Sequence, residues 1–234
     1  YEGVDLGSEG SVGLITYMRT DSVRISDEAL ADARNYISQH FGKEFLPDKP
    51  RYFKTKNAAQ DAHEAIRPTY IDRDPESLKD MLSPDQYKLY KLIWERFLAC
   101  QMENAVFDTL TVEIEGTPKA DVNQNQVLNL RASGSKLVFK GFMALYVEGK
   151  DDEEEETTQL LPPIEADELL YLVSTEPAQH FTEPPPRYTE ATLVKALEEK
   201  GIGRPSTYAP TISTIIARGY VERNKKQLVP TELG

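Results

Sequence analysis

The sequence of 234 residues is poor in the residues that build disulfide frameworks and metal centres, with one cysteine, three histidines and one tryptophan. A single cysteine, Cys100, excludes an internal disulfide framework and a cysteine-based zinc site. No apolar run approaches the roughly 18 residues of a membrane span, and no secretory signal is present at the start. These absences predict a cytoplasmic protein with no membrane partner.

Basic residues are outnumbered, 27 against 39 acidic residues, and the resulting formal net charge of -12 at first argues against a nucleic-acid partner. The acidity is concentrated in one block, since Glu148 to Glu168 contains ten acidic residues and one lysine. Arg187 to Lys226 contains eight basic and four acidic residues, a net charge of +4. The local field governs phosphate binding, so the C-terminal part of the chain is compatible with a polyanionic partner.

The acidic block contains six consecutive carboxylates, Asp151 to Glu156, which could mimic a metal site. Adjacent carboxylates repel one another, and such runs usually form solvated loops. The histidines, His40, His63 and His180, are scattered and do not form a metal-binding cluster. We therefore predict no metal ligands in this chain.

One stretch combines the end of an apolar segment with reactive and charged side chains. Leu14 and Ile15 are typical of a buried segment, and Tyr17, Arg19 and Asp21 follow. A neutral phenol is a poor nucleophile because its pKa is about 10, but a nearby cation favours the phenolate and can hold a phosphate. Tyr17 and Arg19 therefore suit attack on a phosphodiester. The alternative is a buried tyrosine whose hydroxyl bonds Asp21, with Arg19 in a surface ion pair.

A second stretch places a histidine beside an arginine. Residues Ala58 to Ile66 predict a short helix that ends before Pro68, with His63 near its end and Arg67 in the loop that follows. His63 can donate a hydrogen bond to a phosphate oxygen or to an acidic partner. The alternative is an ordinary surface or capping histidine.

A third stretch lies near the C-terminus. Residues 201–205 predict a tight turn, and Ser206 is the predicted cap of the helix that follows. The free amides of that helix N-terminus, beside Arg204, Ser206 and Thr207, form a predicted phosphate site. The alternative is an ordinary helix-turn-helix packing unit.

These three stretches resemble the motifs of one enzyme family, in the same order. Thr16 to Ser22 (Thr-Tyr-Met-Arg-Thr-Asp-Ser) resembles the active-site tyrosine motif of type IA DNA topoisomerases, and its Met-Arg pair is most similar to the bacterial enzymes. His63 to Thr69 (His-Glu-Ala-Ile-Arg-Pro-Thr) resembles the histidine motif, and Gly201 to Ala209 resembles the DNA-binding segment. Three motifs at compatible spacing make the resemblance specific, and it spans nearly the whole chain.

The resemblance implies strand breakage and rejoining in single-stranded or negatively supercoiled DNA, without ATP. Tyr17 attacks one strand, forms a 5′-phosphotyrosyl link and frees a 3′ hydroxyl; a strand then passes through the break, and the attack reverses. A nucleoid-associated location follows. The catalytic residues implied are Tyr17, Arg19 and His63. The DNA-binding residues implied are Met18, Asp21, Arg67, Arg204, Ser206 and Thr207.

The predicted fold is α+β and multidomain. Residues 1–104 are predicted to form a mainly helical active-site domain with winged-helix or CAP-like character, with helices capped by Ser26 and Ser83. The helix after Ser83 is predicted to run to about Glu103, with an aromatic stripe facing the core. Residues 184–234 are predicted to form a truncated, helix-turn-helix-like DNA-binding segment. Thr189 is the predicted cap of its first helix, and two short strands, Tyr220-Val221 and Gln227 to Val229, are predicted around Asn224-Lys225.

The part between these two, residues 105–183, is predicted to be a β-rich arch. The pattern changes at Ala105, after which Leu110, Val112 and Ile114 alternate with polar residues, and this alternation indicates a half-buried strand. Val127 to Ala132 and Lys136 to Val147 are predicted strands, with Ser133-Gly134 as the turn between them. Leu169 to Ser174 is a further predicted strand.

The resemblance also implies parts outside this sequence, which starts without Met and is expected to be the interior of a longer polypeptide. The magnesium-binding Toprim domain and the C-terminal modules of the family are not present. Mg²⁺ is therefore expected in the full-length enzyme, with its ligands in the Toprim domain, and no cofactor is expected in this chain. We expect the chain to need the Toprim domain of the same polypeptide as a partner, and to be inactive alone in DNA relaxation.

Other classes of protein make different predictions. A non-catalytic DNA-binding module built on the C-terminal segment predicts salt-sensitive binding that ignores Tyr17→Phe, with no covalent adduct. A tyrosine-using replication initiator nuclease normally pairs its tyrosine with a histidine cluster, which this sequence lacks. A structural scaffold leaves the three ordered motifs unexplained.

Overall fold

The computed structural model describes residues 1–18, 22–53, 64–117, 127–147 and 160–234. These residues combine helices with small two-stranded antiparallel sheets. The α-helices are α1 (Asp27–His40), α2 (Pro84–Ala99), α3 (Glu190–Glu199) and α4 (Pro205–Ala217). The strands are β1 (Val4–Asp5), β2 (Ser11–Val12), β3 (Val106–Gly116), β4 (Leu128–Phe139), β5 (Val221–Asn224) and β6 (Gln227–Pro230). Short 3-10 helices cover Gly7–Glu9, Lys43–Phe45, Glu76–Met81 and Gly141–Ala144.

Helices α1 and α2 begin at the caps that the sequence predicts. The Ser26 side chain accepts a hydrogen bond from the Ala29 N–H at the start of α1. At the start of α2, Ser83 and Gln86 form a reciprocal capping box, and Pro84 occupies the first turn. Both predicted N-termini are therefore confirmed.

The predicted C-terminus of α2 at about Glu103 is wrong, because the helix ends at Ala99. Beyond that point the backbone tightens, since the Gln101 N–H donates to the Leu98 carbonyl, three residues back. The Glu103 N–H then donates to the Phe45 carbonyl at 2.8 Å. This tertiary hydrogen bond turns the chain away from the helix axis.

A hydrophobic core joins α1, α2 and the segment that precedes Tyr17. Tyr90, Trp94, Phe97 and Leu98 of α2 are buried, as the aromatic stripe predicts, whereas Tyr87 is only half-buried. The fully buried members of the core include Ile37 and Leu98. The core cluster as a whole contains Leu14, Ala29, Ala33, Ile37, Leu78, Tyr90, Trp94, Phe97, Leu98 and Met102.

Strands β3 and β4 form a long antiparallel ribbon, in which the predicted turn at Ser133-Gly134 is wrong. Ser133 pairs with Thr111 and Gly134 pairs with Leu110, so β4 runs straight through the position predicted as a turn. The backbone groups of serine and glycine can form the hydrogen bonds of a β-ladder when a partner strand is present. Leu110 is exposed on β3, while Val112 and Ile114 are half-buried, so the prediction of a half-buried strand holds for part of its length.

The predicted strand from Lys136 to Val147 is also partly wrong, because β4 ends at Phe139 and a 3-10 helix follows at Gly141–Ala144. Gly141 has a φ of 48°, and a Cβ there would lie 2.4 Å from the Asn104 backbone. Only glycine fits this close approach, which folds the end of the ribbon back onto the helical part. Phe142 then packs against the core, and its N–H donates to the Glu103 carbonyl at 2.8 Å.

Residues 160–188 contain no strand in the structure, so the predicted strand at Leu169–Ser174 is wrong. Leu169, Tyr171 and Val173 are 84%, 88% and 94% exposed. A strand pattern yields a sheet only where a second strand pairs with it. No such pairing occurs for this segment among the described residues.

The C-terminal part packs α3 and α4 beside the β5–β6 hairpin. Thr189 caps α3, as predicted, through a capping box with Thr192. The predicted cap of α4 at Ser206 is wrong: Arg204 is the N-cap, and Pro205 begins the helix. Pro210 consequently lies inside α4 rather than in its first turn.

The two short strands predicted around Asn224-Lys225 are present as the β5–β6 hairpin, but β5 extends to Asn224, which pairs with Gln227 instead of lying in the turn. Thr189 forms a β-bridge with Gln227, and the Leu228 N–H donates to the Tyr188 carbonyl at 2.7 Å. Leu228 and Ile212 of α4 are buried between these elements. Across the described ranges, no helix is both long and apolar enough to cross a membrane.

Candidate active site

The segment containing Tyr17 passes from the core to the surface over a few residues. Leu14 is 5% exposed and belongs to the same core cluster as Ala33 and Ile37 of α1, which confirms the buried end predicted from sequence. Tyr17 is 60% exposed and Met18 is 58% exposed. The alternative of a buried tyrosine is therefore wrong, and the phenol is open to a large substrate.

This segment is paired with the segment of the second motif, although about 50 residues separate them in sequence. Ile15 and Pro68 form an antiparallel β-bridge. The Thr16 N–H donates to the Arg67 carbonyl at 2.9 Å, and the Thr69 N–H donates to the Leu14 carbonyl at 3.0 Å. The chain on the N-terminal side of Tyr17 is thus held by a short ladder to the loop that contains Arg67.

Two threonine hydroxyls reinforce this ladder. Thr16 Oγ1 donates to the Ala65 carbonyl at 3.1 Å and accepts the Arg67 N–H at 3.0 Å. Thr69 Oγ1 donates to the Gly13 carbonyl at 2.6 Å. Neither hydroxyl is among the site residues predicted from sequence, although both threonines lie inside the motifs. Polar residues at the ends of an apolar segment could have suggested such a role.

Arg67, predicted to bind DNA, is held by its own loop. Its Nε and one terminal nitrogen each lie 2.9 Å from Glu64 Oε2, and the other terminal nitrogen donates to the Pro68 carbonyl at 3.0 Å. The two charged side chains are 17% and 25% exposed. With its donors engaged in this way, Arg67 orders the loop next to Thr16 rather than presenting a free guanidinium.

A second aromatic ring contacts Tyr17. The rings of Tyr1 and Tyr17 meet edge to face, with their centroids 5.3 Å apart and an interplanar angle of 69°. The β1–β2 pairing of Val4 with Val12 turns the chain so that Tyr1 returns to the tyrosine segment. Tyr1 is not among the site residues predicted from sequence, because its residue type alone gives no signal for this contact.

Three predicted site residues, Arg19, Asp21 and His63, lie outside the described residues, as does the acidic run from Asp151 to Glu156. Most of the helix predicted over residues 58–66 also lies outside them, and its described end, Glu64 to Ile66, is not helical. Residues close to these positions in sequence are hydrogen-bonded to each other, since the Ala65 N–H donates to the Arg24 carbonyl at 2.8 Å.

Arg204, Ser206 and Thr207 lie together at the exposed start of α4. The Arg204 N–H donates to Thr207 Oγ1 at 2.8 Å, so that hydroxyl serves as part of the helix cap. Gly203, with a φ of 79°, precedes them, and a Cβ there would lie 3.0 Å from Thr207 Oγ1. The turn therefore depends on glycine, and Ser206 lies in the first turn, where backbone N–H groups lack intrahelical acceptors.

The described residues contain no group of three or more histidine, cysteine or acidic side chains that could hold a metal ion. Cys100 is not a reactive thiol, because burial raises its pKa. Its Sγ donates to the Phe97 carbonyl at the end of α2. Among the described residues of the three motifs, the exposed groups suited to a phosphodiester are Tyr17 and the start of α4.

Comparison with known proteins identifies the family, since the family described as DNA topoisomerase matches residues 1–234, the whole chain. The chain belongs to the bacterial type IA DNA topoisomerase family. It is also similar in structure to full-length topoisomerase I from Thermotoga maritima, with a TM-score of 0.70 and 35% sequence identity over 99% of this chain. The match covers 35% of the Thermotoga chain. The resemblance drawn from the three topoisomerase motifs is confirmed.

Proposed function

We propose that this chain supplies the nucleophile for cleaving and rejoining one DNA strand in a topoisomerase that relaxes negative supercoils. The Tyr17 hydroxyl oxygen attacks the phosphorus of a phosphodiester and loses its proton. The bond from phosphorus to the 3′ oxygen breaks, and that oxygen takes up a proton. The product is a 5′-phosphotyrosyl link, which keeps the energy of the ester, so the reverse attack rejoins the strand without ATP.

The observation that carries this proposal is the position of Tyr17. Its side chain is 60% exposed, while the backbone immediately before it is hydrogen-bonded to the loop of Arg67. An exposed nucleophile on a rigid support is what a polymeric substrate requires. Membership of the topoisomerase family supports the choice of DNA as that substrate.

The remaining residues of this site have supporting roles in the proposal. Arg19 stabilises the scissile phosphate, and His63 supports the same site by donating to a phosphate oxygen or an acidic partner. Asp21 orients neighbouring groups. Met18, 58% exposed beside Tyr17, contacts the bound strand. Arg67 acts on DNA through the loop that it orders with Glu64.

The C-terminal part is proposed to position the strand. Helices α3 and α4, with the β5–β6 hairpin, form a winged-helix or helix-turn-helix arrangement in this proposal. Arg204, Ser206 and Thr207 bind the backbone phosphates at the start of α4. The net charge of +4 between Arg187 and Lys226 favours this contact.

We also propose the division into residues 1–104, 105–183 and 184–234 as the active-site domain, the arch and the DNA-binding segment. In this scheme the arch opens after cleavage and a second strand passes through the break. Phe142 and Leu145, which pack against the core of the helical part, provide an attachment point between the first two.

Mg²⁺ and the Toprim domain complete the proposed enzyme outside this chain. The described residues offer no cluster suited to the ion, so no step assigned here runs through it. We propose that the chain alone does not relax DNA. Relaxation of a negatively supercoiled plasmid by the chain without a Toprim segment would contradict this part of the proposal.

The test of the nucleophile uses the chain combined with a separately made Toprim segment and Mg²⁺. A single-stranded oligonucleotide is labelled on the side that becomes the new 5′ end, and the reaction is quenched with detergent. We expect label bound covalently to the chain, and none with Tyr17→Phe. Tyr171→Phe is the matched control, since Tyr171 is also exposed but lies far along the sequence.

The rival is a non-catalytic DNA-binding module, which the family assignment does not favour. It predicts equal, salt-sensitive DNA binding by the parent chain and Tyr17→Phe, with no adduct from either. The covalent-label assay and a DNA-binding titration therefore separate the two functions.

A further inference from the structure

A groove beside the candidate active site is lined by exposed aromatic and cationic side chains. Its floor and walls are Val23, Arg24, Ile25, Arg51, Tyr52 and Phe53. Tyr52 is 69% exposed and Phe53 is 47% exposed. Large aromatic side chains at this level of exposure, next to a guanidinium, are typical of surfaces that stack nucleic-acid bases.

The aromatic pair is held in place by a buried polar side chain. Gln101 is fully buried, and its two amide atoms bond the backbone of Arg51: Oε1 accepts the Arg51 N–H at 3.1 Å, and Nε2 donates to the Arg51 carbonyl at 3.0 Å. A buried carboxamide used in this way fixes the backbone just before Tyr52. The backbone that leads into the two rings is therefore fixed, and the Tyr52 hydroxyl donates to Asp27 Oδ1 at 3.4 Å.

A second depression lies on the α1 side of Tyr52, with a volume of about 390 Å³, within the range of about 300–1,000 Å³ common for ligand pockets. Leu30 and Ala31 give it an apolar wall, and Asp27, Arg34 and Asn35 add polar groups. The Asp27 carboxylate can accept hydrogen bonds from the amino groups of bases, whereas the Arg34 guanidinium attracts phosphate. The depression therefore offers groups for both the base edges and the backbone of a strand.

The groove is continuous with the tyrosine site through Ala65. The Ala65 carbonyl accepts the Thr16 hydroxyl, and the Ala65 N–H donates to the carbonyl of Arg24, which lines the groove. The segment that leaves the tyrosine motif thus forms one wall of the groove. The groove and the tyrosine segment are therefore neighbours joined through one residue.

We propose that Tyr52 and Phe53 form a stacking subsite for the bases of single-stranded DNA next to the phosphate that Tyr17 attacks. The inference rests on the proposed function and specifies how the same site holds its substrate. Bases stack on the two rings, and exposed Arg24 attracts the adjoining phosphates. Stacking tolerates every base, so the subsite adds affinity without sequence preference.

The test is a titration of the chain with a short single-stranded oligonucleotide that contains 2-aminopurine, whose fluorescence falls when it stacks on an aromatic ring. We expect Tyr52→Ala or Phe53→Ala to weaken binding about tenfold, equivalent to one stacked base, and to reduce the quenching. Tyr52→Phe keeps the ring and should retain both affinity and quenching. Tyr171→Ala removes a tyrosine outside the groove that is more exposed than Tyr52, at 88%, and should change neither.

Salt dependence separates stacking from charge. Tyr52→Ala should leave the slope of log affinity against log salt unchanged, whereas Arg24→Ala should reduce it by about 0.7, the value for one phosphate of a single strand. Parental affinity and quenching in both alanine variants would overturn the subsite while leaving Tyr17 chemistry intact. Equal binding of a duplex oligonucleotide would overturn the single-strand assignment, and no binding by the parent chain would overturn the subsite and the DNA proposal together.

Discussion

The helical part of the chain buries a set of large apolar side chains, whereas the β3–β4 ribbon leaves several of its own exposed. Ile37 and Leu98 are fully buried in the helical part, whereas Leu128 and Leu130 on the ribbon are 58% and 52% exposed. The helical part closes a core of its own around the segment that leads to Tyr17. A two-stranded ribbon cannot cover its own apolar face, so it contributes little to stability.

The difference indicates how the two parts serve the proposed enzyme. The tyrosine is held on the part with the larger core, through long-range hydrogen bonds from Thr16 and Thr69. The ribbon is anchored at its end, where Phe142 packs on that core and the ring of Phe45 lies 4.9 Å from that of Phe139. In the proposed mechanism, a rigidly held nucleophile and a ribbon anchored at one end suit an arch that opens after cleavage.

The largest effect is expected from a core substitution compared with its ribbon counterpart. Leu98→Ala should lower the free energy of unfolding by about 3 kcal/mol, because it leaves a cavity in a fully buried site. Leu130→Ala should change it by no more than about 0.5 kcal/mol. Trp94, the sole tryptophan and a core residue, reports the transition by fluorescence during urea unfolding. Equal losses of unfolding free energy in the two variants would contradict the difference between core and ribbon.

A smaller effect is expected at the ladder behind Tyr17. Thr16→Val keeps the shape but removes the hydroxyl that bonds Ala65 and Arg67, leaving two backbone groups unsatisfied, and should cost about 1–3 kcal/mol. Thr16→Ser keeps the hydroxyl and should lose less. The same urea titration measures both, and the adduct assay should show a lower cleavage rate for Thr16→Val alone. Parental stability and a parental cleavage rate in Thr16→Val would show that the Thr16 hydroxyl does not support the Tyr17 segment.

Helix caps sharpen the comparison between the helical part and the C-terminal part. Ser83→Ala should destabilise the Trp94 transition by about 1 kcal/mol, because it removes the cap of α2. Thr189→Ala removes the cap of α3, and we expect it to lower the stability of C-terminal helices seen by circular dichroism. The Trp94 transition should then stay at its parental midpoint; a shift would mean that the two parts unfold as one unit.

The smallest expected effect is on the alkylation rate of the Cys100 thiol. Burial raises the pKa of Cys100, so its thiolate fraction at a given pH is lower than that of a free cysteine. Iodoacetamide at pH 8 should therefore alkylate the folded chain more slowly than the chain in urea, and the folded rate should keep rising as pH increases beyond the usual thiol range. Equal rates in both states would show that the end of α2 is open.

Local signals in the sequence predicted the helix starts well, because a cap depends on neighbours only. Ser26, Ser83 and Thr189 each cap the predicted helix. The same logic failed at Ser206, where Pro205 in the preceding position takes the first helical place and moves the cap to Arg204.

Non-local pairing explains most of what the sequence did not predict. Ser133-Gly134 is a turn signal that a facing strand overrides. The ladder between Thr16 and Arg67, and the carboxamide of Gln101 on Arg51, join positions about 50 residues apart. Such contacts leave no periodic trace, so the candidate site could be located by its motifs but its support could not.

The most direct measurement of the central claim is the chemical identity of the residue attached to DNA. After reaction with the Toprim segment present, the adduct is digested with nuclease and trypsin and analysed by mass spectrometry. We predict a residual nucleotide on the peptide from Tyr1 to Arg19, with fragmentation assigning it to Tyr17 and the same result for Tyr1→Phe. A nucleotide on any other residue, or an undiminished adduct in Tyr17→Phe, would contradict the account.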